Sequence, residues 1–216
     1  MRENYNYAEI VLNGVNNRNH VRELKSYPDF YGKPDKYDCY MSAYRFNSEF
    51  KKFADENKTV RGYAGICHCE HLFFDFDSPH GDLALEEVRS FVGMVIEKNP
   101  DPIIEDINVY FSGNKGFHVF IKQPFEPSVD LPETIKKYCF ALAKKYSTFD
   151  RAVYDKTRII RIPNSKHRKS GLYKIPLIPG EVFKLSTDDI RELAKKQRSI
   201  NDAVKQFSER FVHGIT

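Results

Sequence analysis

The sequence predicts an α/β protein, and three observations carry that prediction. Short runs with strand periodicity alternate along the chain with stretches of helical periodicity, and no Pro/Gly/Ser-rich linker separates them. The apolar fraction of 41% and charged fraction of 30% are those of an ordinary globular protein, with no collagenous, coiled or repetitive pattern. A length of 216 residues suits one sizeable core or two small lobes. We expect residues 1–216 to form a single unit, with a soft division near residue 60, where "ADENKTVRG" is polar.

The elements follow in order. Strands are expected at "YAEIVLN" (7–13), "YDCYMSAYRF" (37–46), "HLFFDFD" (71–77), "INVYFSG" (107–113), "FHVFIK" (117–122), "RIIRI" (158–162) and "LYKIP" (172–176). After Asp82, a helical stripe of Leu85, Val88, Phe91, Val92, Val95 and Ile96 runs to Asn99-Pro100. A second stripe follows Pro132, through Ile135, Tyr138, Leu142 and Tyr146. A last helix is expected from Ser186, where "STDD" resembles a capping box with Asp in place of Glu, through Ile190, Leu193, Ile200, Val204 and Phe207 to a stop near Gly214. The chain ends a few residues later without a terminal feature, as a module cut from a longer protein would.

Composition narrows the function classes. No stretch approaches the roughly 18 consecutive apolar residues of a membrane span, and the N-terminus lacks the apolar core of a signal peptide, so a cytosolic protein without membrane partners is expected. Cys39, Cys67, Cys69 and Cys139 are too few and irregular for a disulfide framework and suit a reducing compartment. "CHCEH" (67–71) splits its side chains between two faces of a strand, with no second Cys/His cluster to complete a site, so no zinc is expected. The formal net charge of +4 says little as a total; its distribution says more.

Three constellations carry chemistry. In the strand "HLFFDFD", Asp75 and Asp77 are two positions apart and share a face, while Phe74 and Phe76 point the other way. Two carboxylates so placed repel unless a cation lies between them, and a hard divalent ion with oxygen ligands is the natural partner. A turn at Asp77-Ser78-Pro79 accounts for Asp77 alone and leaves Asp75 unexplained. In "FSGNKGFHVFI" (111–121), Gly113-Asn114-Lys115-Gly116 reads as a hairpin turn whose backbone N–H groups can face an anion. Lys115 sits at its tip, and Ser112 and His118 flank it on the two strands. It lacks P-loop spacing. Between Arg151 and Lys174, eight Lys/Arg stand against one acid, Asp155, and the cations alternate with isoleucines before filling a Pro/Asn/Ser/Gly turn. That arrangement suits a grip on phosphates.

Together, "FFDFD", "SGNKGFHVFI" and "DRAVY…RIIRIPNSKHRKSG" resemble the archaeo-eukaryotic primase superfamily, which includes primase–polymerases and the small catalytic subunit of primase, over about residues 60 to 177. The resemblance implies a core with a mixed sheet related to the RNA-recognition fold beside a second α/β lobe. The family's strand-borne Asp-x-Asp/Glu falls on Asp75 and Asp77, and its Ser-x-x-x-Gly-x-His on Ser112, Gly116 and His118. Its third carboxylate falls on Asp150, with Asp155 in reserve, because Val153, Arg158, Arg161, Pro163, Ser165, His167, Lys169, Ser170 and Gly171 then keep the family's spacing. The zinc cluster of many primase small subunits has no counterpart here.

What this implies is a template-dependent nucleotidyltransferase, a DNA primase or primase–polymerase, using two Mg²⁺ or Mn²⁺ ions held by Asp75, Asp77 and Asp150. Ser112, Lys115, His118, Ser165, His167 and Lys169 would hold the nucleoside triphosphate (NTP or dNTP), and Arg158 and Arg161 would join them or position the template. The implied partners are a single-stranded DNA template and primer, with a fused or associated helicase or accessory domain. Two other readings compete: a nucleic-acid-binding module without catalysis, and a metal-dependent nuclease or phosphohydrolase using Asp75, Asp77 and His118.

Overall fold

The computed structural model describes residues 4–79, 81–98 and 107–211. Its strands form two sheets. The first is built from β1 (Tyr7–Val11), β2 (Val21–Glu23), β3 (Tyr40–Ser42), β4 (Arg45–Phe46), β5 (Cys67–His68) and β9 (Ile159–Arg161). The second follows the order β10-β7-β8-β6, from β6 (His71–Asp77), β7 (Ile107–Phe111), β8 (Gly116–Lys122) and β10 (Ile175–Leu177). Helices α1 (Ser48–Asn57), α2 (Gly81–Lys98), α3 (Leu131–Ala143), α4 (Pro179–Lys184), α5 (Thr187–Leu193) and α6 (Ile200–Phe211) complete a mixed α/β architecture. Every strand pair within the two sheets is antiparallel, where a mixed sheet was expected.

Apolar alternation decides the second sheet. Phe74, Phe76, Phe117 and Val119 are buried on one face, against α2 and the chain after α3. The stripe expected on α2 is the buried one, with Leu85, Val88, Phe91, Val92 and Val95 inside. Its expected end at Asn99-Pro100 and the stop near Gly214 lie outside the described residues. Core residues on both sides of position 60 pack in one cluster, with Tyr44 meeting Phe73 edge-on at 5.8 Å between ring centroids.

Several elements differ from expectation, each for a local reason. The run 37–46 divides into β3 and β4, because the chain turns after Ser42, the last residue of β3, whose hydroxyl accepts from Glu9 N (3.1 Å) and donates across the turn to Tyr44 O (2.8 Å). The strand expected at 172–176 begins only at Ile175, since residues 172–174 bond the preceding turn, with His167 N donating to Leu172 O (2.7 Å) and Lys174 N to Ser165 O (3.1 Å). The single C-terminal helix is two. Ser186 and Asp189 cap α5 reciprocally, as the capping-box reading required, but Ser199 and Asp202 form a second such pair that starts α6. Between them Arg198 turns inward to Glu181, 2.9 Å away and also buried. Tyr146 packs in the core beyond the end of α3 and not on the helix itself.

Candidate active site

The antiparallel register of β6 and β8 sets Asp75 opposite His118 and Asp77 opposite Gly116, and β7 brings Tyr110 opposite His118 from the other side. Cross-strand partners share a face, so Asp75, Asp77, His118 and Tyr110 rise together on the face opposite Phe74, Phe76 and Phe117. The first sheet supplies the facing wall through Tyr40 of β3 and Ile160 and Arg161 of β9. Between the walls lies an inner cavity of about 220 Å³, lined among others by Asp75, Asp77, Ser112, Lys115, His118, Arg158, Arg161 and His167. An outer cavity of about 610 Å³ shares Tyr40, Asn114, Arg161 and His167 with it and adds Lys169 and the β1–β2 loop from Asn13 to Asn17.

Asp150 comes to the edge of β6, beside the inner cavity and not in its lining, by a route that is not a strand. Glu87 of α2 accepts from the backbone and hydroxyls of Ser147 and Thr148, at 2.6–2.8 Å. The anchored chain then runs along the edge of β6: Asp77 N donates to Thr148 O, and Asp150 N to Asp75 O, both at 2.8 Å. Asp155 is placed elsewhere, its carboxylate accepting from the backbone N (3.1 Å) and hydroxyl (2.8 Å) of Thr157.

The electrostatics follow from this crowding. Burial, then the negative charges of Asp150 and Asp77, push the Asp75 carboxyl up to about 7, against the opposing pull of Arg158 and Lys174. Each carboxylate has a side-chain cation or imidazole beside it: Asp77 has Lys115 Nζ at 3.2 Å, Asp150 has Arg158 Nη2 at 3.9 Å, and Asp75 has His118 Nε2 at 3.8 Å. Burial and the charges of Lys174, Arg161 and Arg158 hold the His118 imidazolium well below its usual range, so the ring is neutral; its Nδ1 is buried without a hydrogen-bond partner. The donor set around Asp75 is carboxylate oxygen, the chemistry of a hard divalent ion. Among the described residues, however, no three His, Cys, Asp or Glu side chains are gathered closely enough to hold a metal ion in this conformation.

The hairpin and the basic turn divide into residues that line the cleft and residues that build it. Gly116 has no room for a side chain, because a Cβ there would be driven into Phe76 O, and its N–H donates to Ser112 Oγ (3.2 Å). Gly113 has φ +90° and sits against the backbone of Leu172–Lys174. The expectation that this turn cradles an anion with its backbone is therefore corrected at Gly116, whose donor is used within the turn. Ser165 is also corrected: it is fully buried, and its hydroxyl donates to Ile162 O at 2.8 Å, so it does not reach the cleft. Arg161 lines both cavities but is anchored, with Nη1 donating to Asp38 Oδ1 (2.9 Å) and Nη2 to Tyr40 Oη (2.7 Å). His167, held below its usual pKa by burial and Arg161, lines both cavities, whereas Lys169 lines the outer one alone.

Lys174 is the residue that sequence reasoning counted in the basic run without assigning. It is fully buried, its ammonium donates to Arg161 O (2.7 Å), and it lies over the rings of Tyr110 (4.8 Å) and Phe120 (5.2 Å) beneath the cleft. Burial and Arg161 lower it to about 7. Its signal was a lysine set between Tyr173 and Ile175 on an apolar run. Asp38, which fixes Arg161, gave no such signal.

No helix among the described residues is long and apolar enough to cross a membrane. No family model matches the sequence, and no curated protein matches it. A similar solved structure is the "Polymerase Domain from Mycobacterium tuberculosis Ligase D in complex with DNA", at 13% identity and a TM-score of 0.44, with 80% of this chain covered and 60% of that chain spanned.

Proposed function

We propose that the inner cavity is the active site of a template-dependent nucleotidyltransferase that makes or extends nucleic-acid strands from nucleoside triphosphates. The observation that carries the reading is that Asp75 and Asp77 line a cleft together with Lys115, Arg158 and Arg161, while Asp150, at the edge of β6 beside it, adds its negative charge to that of Asp77 on Asp75. Paired acids inside a phosphate-binding cleft are a liability unless divalent cations neutralise them.

Asp75, Asp77 and Asp150 are the residues that would hold Mg²⁺ or Mn²⁺, which when bound supplies activation of the attacking 3′-oxygen and neutralisation of the triphosphate. The protein's own groups do the rest. Lys115 and Arg158, already beside the carboxylates, lie where phosphate oxygens can compete for them. His118, neutral and lining the cavity, offers an imidazole to a ligand without adding charge. The Asp38–Arg161–Tyr40 cluster keeps the facing wall cationic and fixed in geometry. A second reading, a nucleic-acid-binding module without catalysis, is favoured by the side-chain cations that already partner Asp77 and Asp150.

Incubation with a primed template, a nucleotide mix and Mg²⁺ or Mn²⁺ separates the readings. Extension by the wild type and none by Asp75→Asn supports the proposal. Retardation of the template without extension favours the binding module, and degradation favours a nuclease.

A further inference from the structure

A second concentration of positive charge lies outside the inner cavity, and the proposed chemistry does not use it. The chain between β2 and β3 runs along the basic turn that follows β9. Phe30 N donates to Pro163 O (3.1 Å), Asp38 N to Lys166 O (2.9 Å) and Lys166 N to Lys36 O (2.8 Å), and Tyr37 forms a parallel bridge with Lys166. Two segments far apart in sequence thus form one strip in which cations gather around the part-exposed ring of Tyr37, with the ring of Tyr173 buried beneath. The Lys166 ammonium is held over Tyr37 (5.6 Å) and Tyr173 (5.1 Å), and the Arg168 guanidinium over Tyr37 (5.9 Å) while its Nε bonds Asp38 (3.2 Å). Lys36, half-buried and with its ammonium 3.3 Å from the exposed Asp35, precedes Tyr37, and the exposed Lys169 follows Arg168.

Cations held over aromatic faces have lost part of their rotamer freedom before any ligand arrives, which lowers the cost of binding. Cations grouped around a part-exposed ring are also what a single strand needs, since phosphates follow the cations and an unpaired base stacks on the ring. The strip is continuous with the cleft: Lys169 belongs to the outer cavity, and that cavity shares Arg161 and His167 with the inner one.

We propose that Lys36, Tyr37, Lys166, Arg168 and Lys169 form a binding strip for single-stranded nucleic acid that leads it into the cleft. The link to catalysis rests on the proposed function; the binding itself does not. Lys169, absent from the inner cavity, is assigned here to a strand phosphate and not to the triphosphate.

The test is fluorescence anisotropy on the full chain, without nucleotide, using labelled oligothymidine and oligouridine of about twenty nucleotides at about 50 and 200 mM salt. Lys36→Ala/Lys169→Ala is expected to weaken binding about tenfold at the lower salt. It should also reduce the log–log salt slope by about 1.4, roughly 0.7 for each phosphate contact on a single strand. Tyr37→Leu is expected to weaken binding about tenfold at both salt concentrations, as loss of a stacking surface does. Lys51→Ala/Lys52→Ala, on exposed α1, should leave binding unchanged, and unchanged thermal melting confirms that each variant is folded. The proposal is overturned if wild type binds neither oligonucleotide, if the Lys36/Lys169 variant keeps the wild-type slope, or if the Lys51/Lys52 variant loses as much. A protein that binds through this strip yet extends no primer sinks the catalytic reading and leaves the strip intact.

Discussion

The two faces of the four-stranded sheet are made by the same strands and do opposite things. On one, Phe74, Phe76, Phe117 and Val119 are almost completely excluded from solvent, with Phe74 and Phe76 at 4.6 and 5.4 Å from the Phe91 ring of α2. On the other, Asp75, Asp77 and His118 alternate with them and face the cavity. Burying large aromatic rings on the first face is what allows the second to hold ionisable groups that burial penalises. A slip of one residue between β6 and β8 would exchange the two sets, so a packed apolar face also enforces the positions of the carboxylates.

The comparison breaks if the faces are not separable. The largest effect is expected on the apolar side: Phe76→Ala should lower unfolding free energy by about 3–5 kcal/mol in urea titration. A loss below about 1 kcal/mol would mean that this face is not the source of stability. Asp75→Asn is expected to leave stability equal or higher, because it removes a charge held among like charges. It should nevertheless cut nucleotide incorporation by at least about a hundredfold, the upper end of what losing a mere outer-shell partner of a metal ligand costs.

Proton linkage sharpens the same contrast. Asp75 titrates near 7 in the folded chain against an ordinary 3.8, so between those values the folded state keeps a proton that the unfolded state has released. The stability of wild type relative to Asp75→Asn should therefore be constant below about pH 4, fall through the window up to about 7 and stay low above it. Lys174 works in the opposite sense and in a higher window: lowered from 10.5 to about 7, it holds its proton only in the unfolded state between those two values. Wild type relative to Lys174→Met should accordingly gain stability as pH rises from about 7 to 10. Urea midpoints for the three proteins over this range check both slopes, and a flat difference in either pair would remove that group from the site's electrostatics.

The smallest expected effect distinguishes two aspartates close in sequence. Asp155→Asn loses one acceptor on an exposed turn, at about 1 kcal/mol or less, and should leave extension within about twofold of wild type. Asp150→Asn should abolish extension. Equal activities in a primer-extension assay would erase the distinction.

Legibility followed periodicity. β6 appears at its expected bounds and α2 buries its expected stripe, because long alternating or helical patterns report directly which side faces the core. β2 and β5, of three and two residues, are too short to show a period. Helix α1 is mostly polar and buries only Phe50 and Ala54, so its signal was the Asn47 cap and not a stripe. At the site, strand alternation placed Asp75, Asp77 and His118 on one face, and hairpin pairing brought Ser112 to the same cavity. It could not separate Lys169 in the outer cavity from Lys115 in the inner one, or foresee that Ser165 folds inward, since those outcomes depend on how two sheets meet.

The segment that delivers Asp150 has a further consequence for how this chain can be cut and rejoined. β6 is the outermost strand of its sheet, and residues 148–150 cover its open side through the bonds to Asp77 and Asp75 and the bridge between Phe76 and Phe149. An uncovered, largely apolar strand edge is a template for self-association. A truncation ending before residue 148 would therefore remove Asp150, and a circular permutation opened between Ala143 and Asp150 would free it from its anchor, and either would at the same moment uncover the strand edge at Asp75–Asp77, along which copies can pair into aggregates.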